Sequence, residues 1–165
     1  MRGPKLQFEH PTQTAASAFL LATLEADASA MWSALSRETR GLLEGLYAAR
    51  AGVALGAAAG VEGDGSDARL GEVLAPLRAS VLSALGAESL GGYGVSNARL
   101  VARNVAYVLL LPEFGEERVV DEASWKPSHV LAFVYESREW LLDLAKTADL
   151  SAEAELPDPL GGIRR

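Results

Sequence analysis

Few side chains in this sequence could do chemistry. There is no cysteine, and the two histidines are His10 and His129. Thiolate nucleophiles, disulfides and thiolate metal sites are therefore excluded, and a histidine-rich metal centre has too few ligands. His129 opens an apolar run beside Pro127 and Ser128. An imidazole there could shuttle protons near neutral pH, or stand exposed at a strand end. Asp143 follows Trp140, Leu141 and Leu142. In a dry pocket burial would raise its pKa and make it a general acid or base; at the solvated end of a hairpin, or beside an arginine, it would be an ordinary carboxylate. Trp32, Tyr47, Tyr107, Phe133 and Tyr135 could line a ligand cavity or simply fill the core.

Two further patterns invite a chemical reading and lose it. Glu113, Glu116, Glu117, Asp121 and Glu122 gather around one predicted hairpin. A metal needs convergent ligands, which a hairpin does not supply, whereas charge along a sheet edge blocks unwanted strand addition. Glycines recur at Gly52, Gly56, Gly60, Gly63 and Gly65. A phosphate loop would need a preceding strand and a following Gly-Lys-Ser/Thr, and neither is present. No metal and no cofactor is expected.

These residues sit in a chain of 165 residues and 17.4 kDa, 49% apolar and 22% charged. That is one domain with a core, not a disordered segment. Fifteen Lys and Arg against 22 Asp and Glu leave a net charge of −7. An acidic chain with no basic run repels nucleic-acid backbones and anionic membrane surfaces. The longest uncharged small-residue stretch, Ala51 to Val61, is too short to span a bilayer. No apolar run follows the basic start Met1-Arg2-Gly3-Pro4-Lys5, so a cytoplasmic protein is expected.

The elements that must position the candidates follow from periodicity. Residues 1–12 read as a flexible leader, 13–146 as one domain and 147–165 as a flexible tail. A first helix begins near Thr12 or Thr14 and ends near Asp27, with Phe19, Leu20, Thr23 and Leu24 as its stripe. Asp27 or Ser29 caps a second helix bearing Met31, Trp32 and Leu35. Ser36 caps a third, with Glu38 in its first turn and Leu42, Leu43, Leu46 and Tyr47 on one face. Residues 52–67 form a Gly/Ala-rich loop. Leu70, Val73, Leu74, Leu77, Val81 and Leu85 keep helical spacing, with Pro76 either kinking that helix or standing in its first turn. Gly86 stops it. Beyond Gly94 the period changes to strands: Val95–Ala102, Val105–Leu111, Arg118–Trp125, His129–Glu136 and Trp140–Ala145, joined by short turns into an antiparallel meander.

Helices followed by antiparallel strands make an α+β fold, with the N-terminal helices packed on one face of a curved sheet. In Val105–Leu111 and His129–Glu136 both faces are apolar, whereas a half-solvated sheet should alternate. The helices can cover one face. A second copy of the chain is the expected cover for the other, giving a homodimer through the sheet face; the Gly/Ala segment or the C-terminal tail is the alternative.

Two segments resemble a known family. The run from Phe19 to Asp27, then Trp32-Ser33-Ala34-Leu35-Ser36-Arg37-Glu38-Thr39-Arg40, is similar to the opening helices of nuclear transport factor 2-like domains, the cystatin-like α+β cone superfamily. Phe133-Val134-Tyr135-Glu136, Ser137-Arg138-Glu139 and Trp140-Leu141-Leu142-Asp143 resemble their closing hairpin. The chain departs from the pattern at 52–67, where many members have a short hairpin, and at Pro76 in the expected cone helix. The resemblance implies a curved sheet wrapped around a long helix, an apolar pocket and usually a dimer. Its members include isomerases, dehydratases, hydrolases, small-molecule binders and interaction modules, so the fold does not select the function. The expectation is a homodimeric, non-catalytic interaction or assembly module. Two alternatives stand beside it: a small-molecule binding protein or enzyme using a cone pocket for a small apolar ligand, with Asp143 and His129 as its acid–base groups, and a regulatory partner whose acidic surface docks a basic protein.

Overall fold

Helix signals in the first half are obeyed closely. The computed structural model describes residues 10–52, 66–112 and 126–164. Helix α1 (Pro11–Glu25) starts earlier than its threonines suggest, because His10 is its N-cap. The His10 ring accepts from the Thr12 backbone N–H, and the Gln13 side chain returns a bond to the His10 N–H at 2.9 Å. That is a reciprocal capping box, with Pro11 in the first turn where its missing N–H costs nothing. Helices α2 (Ala28–Ser33) and α3 (Arg37–Ala51) are separate, as the cap at Ser36 predicts. Asp27 caps the first and Ser36 the second, and Gly52 ends α3 in the left-handed conformation that glycine accepts freely. Helix α4 (Ser66–Leu85) continues through Pro76, which stands in its interior rather than its first turn. The proline forgoes one backbone bond, to the Glu72 carbonyl, and buried Val73, Leu74, Leu77, Val81 and Leu85 hold the helix by packing instead. No helix among the described residues is long and apolar enough to cross a membrane.

The sheet is antiparallel, with β3 (Val105–Leu111) and β4 (His129–Glu136) at its centre and β5 (Glu139–Leu142) beside β4. The outer edge of β3 takes two short pieces, β1 (Gly94–Val95) at one end and β2 (Arg99–Ala102) at the other. They occupy the span predicted as the single strand Val95–Ala102. The break falls at Ser96–Ala98, where Ser96 keeps the ladder closed: its N–H donates to the Leu109 carbonyl at 2.9 Å and its Oγ accepts from the Leu109 N–H at 2.8 Å. The helices and this curled half-barrel sheet make an α+β fold of cone-like form. The expected strand Arg118–Trp125, the acidic group Glu113–Glu122 and most of the glycine-rich segment lie outside the described residues.

One face of the sheet carries the main core. Cross-strand rows Ala106, Phe133, Leu142 and Val108, Leu131 point at Phe19, Leu20, Met31, Leu43 and the α4 stripe. The other face is apolar too, as the sequence indicates, and the chain's own C-terminal segment packs on part of it. The strand expected over Trp140–Ala145 stops at Leu142, and Asp143 turns the chain into helix α5 (Leu144–Glu153). This helix folds back so that Leu150, with Leu156, packs on Leu109, Val130, Ala132 and Tyr107. Thr147 stands in for the missing strand, its Oγ1 accepting from the Ala132 N–H at 3.1 Å and donating to the Asp143 carbonyl at 2.7 Å. A homodimer through the sheet is therefore not needed to cover this part of the face. Residues 147–165, expected as a loose tail, hold most of α5 and the 3₁₀ turn Gly161–Arg164, with Leu160 and Ile163 buried in the core. The Pro and Gly spacing signalled a tail, but it marks turns that return the chain to α4, where Ser80 Oγ donates to the Pro159 carbonyl and accepts from the Gly162 N–H.

The β4–β5 hairpin closes through a two-residue loop, with Glu136 paired to Glu139. Both loop residues are left-handed, Ser137 at φ 52° and Arg138 at φ 66°. A two-residue turn of this kind favours Asn-Gly, and an L-residue with a Cβ is strained there by roughly 1 kcal/mol or more. We expect Arg138→Gly to stabilise the protein by about 1 kcal/mol in urea unfolding, since it relieves the strain at a solvent-exposed position. An unchanged or lowered midpoint would show that the Arg138 side chain is anchored by packing.

Candidate functional site

Asp143 is 3% exposed and has no free oxygen. Oδ1 accepts from the Lys146 N–H at 2.9 Å, capping α5, and Oδ2 accepts from Ser36 Oγ at 2.7 Å. Ser36 is itself the cap of α3, its Oγ accepting from the Thr39 N–H and lying 2.9 Å from Thr39 Oγ1. Thr39 Oγ1 in turn accepts from the Leu144 N–H at 2.9 Å. Two helix N-termini thus share one buried cluster of side-chain oxygens, and each dipole favours the carboxylate between them. The backbone repeats the join: Ser36 N–H donates to the Leu142 carbonyl, and Leu142 N–H to that of Ala34. Of the settings weighed for Asp143, burial is the one present rather than a solvated hairpin end, and each of its oxygens accepts one hydrogen bond, from the α5 cap and from Ser36.

His129 is buried rather than exposed at a strand end, at 7%. It pairs with Leu110 across the sheet, and its Nδ1 lies 2.9 Å from Ser128 Oγ. Burial lowers its pKa below the ordinary 6.5, opposed by the nearby Asp158 carboxylate. The folded state therefore prefers neutral imidazole, and the unfolded chain takes up the proton first as pH falls. The stability this contributes is present above pH 6.5 and is lost on acidification through the lowered folded value. Urea midpoints measured from neutral pH down to about pH 5 should fall in the wild type and fall less in His129→Gln; equal slopes would contradict this assignment.

The five aromatic candidates do not converge. Phe133 is fully buried in the helix-side core. Trp32 packs at the margin of that core, with the Arg40 guanidinium 5.5 Å from its ring centroid and Arg40 Nε donating to the Trp32 carbonyl. Tyr47 reaches from α3 to α4, its OH donating to Glu72 at 3.1 Å. Tyr107 lies on the opposite face, against the cluster under α5. Tyr135 alone is exposed, at 46%, and its ring lies 5.3 Å from that of Trp140.

That pair belongs to an open groove of about 1230 Å³. One wall is the first half of α1, from Pro11 through Thr14 and Ala15 to Ala18; the other is the β4–β5 hairpin, with Tyr135, Arg138 and Trp140. Arg103 and Asn104, the turn between β2 and β3, close one part of it. His10 braces the join, its ring 5.0 Å from Trp140 in an edge contact. Sequence reading singled out Tyr135 but missed Ala18, Arg103, Arg138 and Trp140 as groove residues. The signal available was the weak amphipathicity of α1, which leaves Leu21 and Leu24 exposed although they lie outside the groove. Among the described residues no three His, Asp or Glu side chains lie where they could hold one metal ion. The architecture is that of an α+β half-barrel whose accessible concavity is aromatic and small-apolar with a polar end. No protein-family model matches the chain, and no curated protein or solved structure is detectably similar to it.

Proposed function

We propose that this chain is a non-catalytic interaction module that receives a segment of a protein partner in the groove between α1 and the β4–β5 hairpin. The observation that carries the reading is the separation of chemistry from concavity. Asp143 is consumed in helix caps and His129 is buried beside Ser128, while the groove presents Ala15, Ala18, Tyr135 and Trp140. At about 1230 Å³ and open to solvent, the groove exceeds the size of most small-molecule sites, which enclose their ligand. Polypeptide segments instead lay alternate or i, i+3, i+4 side chains into such grooves. A nuclear transport factor 2-like frame accords with the cone-like form, and a chain without cysteine suits the cytoplasm. Self-association remains one use of the groove, but the sheet face no longer motivates it.

The reading is tested by selecting binders from a randomised dodecapeptide display library and measuring the affinity of enriched peptides by fluorescence anisotropy. Ala18→Trp, which fills the groove from an exposed helix position, should weaken binding at least tenfold while leaving the unfolding midpoint in place. Peptides that bind this variant as tightly as wild type would overturn the proposal. Saturable uptake of an anilinonaphthalene sulfonate dye, blocked by Ala18→Trp and unaccompanied by any enriched peptide, would favour the small-apolar-ligand reading instead.

A further inference from the structure

The polar end of the groove specifies the partner's chemistry. Arg103 comes from the β2–β3 turn and Arg138 from the β4–β5 turn, separate in sequence, yet both line the same groove. Neither side chain takes part in a hydrogen bond or ion pair among the described residues. The contrast with Arg40 and Arg78 is direct, since those two donate to the carbonyls of Trp32, Ser33 and Thr23. The Trp140 indole and the Asn104 amide, also on the groove wall, add N–H donors with no protein acceptor among the described residues. Guanidinium and indole groups can only donate. Against them the lining offers one carboxylate, Glu139. The donor excess stands out in a chain whose net charge is −7.

Arg138 holds a left-handed conformation, φ 66°, where glycine would fit without strain. The two-residue turn imposes the same conformation on Ser137 (φ 52°), and its second residue carries one of the groove's two guanidinium groups.

We infer that the segment bound in the groove is acidic: one or two carboxylates paired with Arg103 and Arg138, next to an aromatic or aliphatic side chain seated against Tyr135, Trp140 and Ala18. The inference rests on the groove being the binding surface, as proposed above. Guanidinium–carboxylate pairs give geometric selection as well as charge, and partly exposed pairs make the association sensitive to salt.

The experiment is a parallel selection from the same dodecapeptide library on the wild type and on the double variant Arg103→Gln/Arg138→Gln, with Arg138→Gly as a separate arm. Wild-type selections should enrich Asp or Glu beside an aromatic or aliphatic residue. The enriched peptides should bind the double variant at least tenfold more weakly, and raising the salt should weaken wild-type binding but leave the double variant's residual binding nearly unchanged. Arg138→Gly should bind more weakly although its fold is more stable, a combination that misfolding cannot produce. Uncharged consensus peptides that bind wild type and double variant alike, yet lose affinity in Ala18→Trp, would overturn the acidic partner and leave the groove. Peptides indifferent to Ala18→Trp would overturn both.

Discussion

Asp143→Ala is expected to lower the free energy of unfolding by about 2 to 3 kcal/mol: about 1 for the lost α5 cap, and the rest for the buried charge-assisted bond from Ser36 Oγ, which keeps only Thr39 Oγ1 as an acceptor. The geometry fixes the reasoning. Asp143 holds the Lys146 N–H and Ser36 Oγ at 2.9 and 2.7 Å, and Ser36 and Thr39 pass the connection on to α3 and back to Leu144. Asp143→Asn keeps an acceptor for the cap but sets an amide against the Ser36 hydroxyl, which also caps Thr39. Its cost should be smaller, roughly 1 kcal/mol. Because both residues serve one cluster, Ser36→Ala and Asp143→Ala should be coupled by at least about 1 kcal/mol in a double-mutant cycle. Urea unfolding of the four proteins measures this. Additive effects, or an alanine cost below about 0.5 kcal/mol, would mean that the cluster does not tie the two helices together.

Phe133→Ala is expected to cost about 4 kcal/mol, the usual range for removing a fully buried phenyl ring from a packed core. Phe133 lies between Ala106 and Leu142 across the sheet and faces the helices. The substitution also separates two roles for the ring. A phenyl group lining a ligand cavity would already have empty space on one side, and its loss would cost far less. A loss of 3 kcal/mol or more consumes a large part of the stability ordinary domains possess. Measurement needs only equilibrium urea unfolding at constant m-value. A midpoint within experimental error of wild type would reassign Phe133 to a cavity wall.

Much of this fold is legible in the sequence, and the exceptions share a cause. Ser36 as a cap, Gly86 as a stop and the apolar faces of β3 and β4 are local signals, and each appears where periodicity places it. Two apolar sheet faces likewise demanded a second cover. What the sequence did not reveal was its source, because α5 begins in the middle of an apolar run. Trp140 to Ala145 extends without a break from strand into helix, and only the Asp143 cap marks the change. Short apolar runs do not distinguish the two states by periodicity. The sequence leaves Asp143 between a dry pocket and a solvated hairpin end, and what decides its setting is Ser36, 107 residues away. His10 was hidden for a related reason: it caps α1 from within a segment whose Pro and Gly content signals a loop. The groove is a tertiary property altogether. Ala18, Arg103 and Trp140 are unremarkable in sequence and come to line one groove only when α1 packs beside β5.

We propose the groove of α1 and the β4–β5 hairpin as the working surface, with Asp143 and His129 in structural roles. Hydrogen–deuterium exchange on the protein with and without an enriched library peptide tests it most directly. The account predicts slowed exchange confined to residues 10–18, 103–105 and 135–141, with the Asp143 caps and α5 unchanged. Protection centred on α3 and α5, or on the exposed β2 edge, with the groove unaffected, would contradict it.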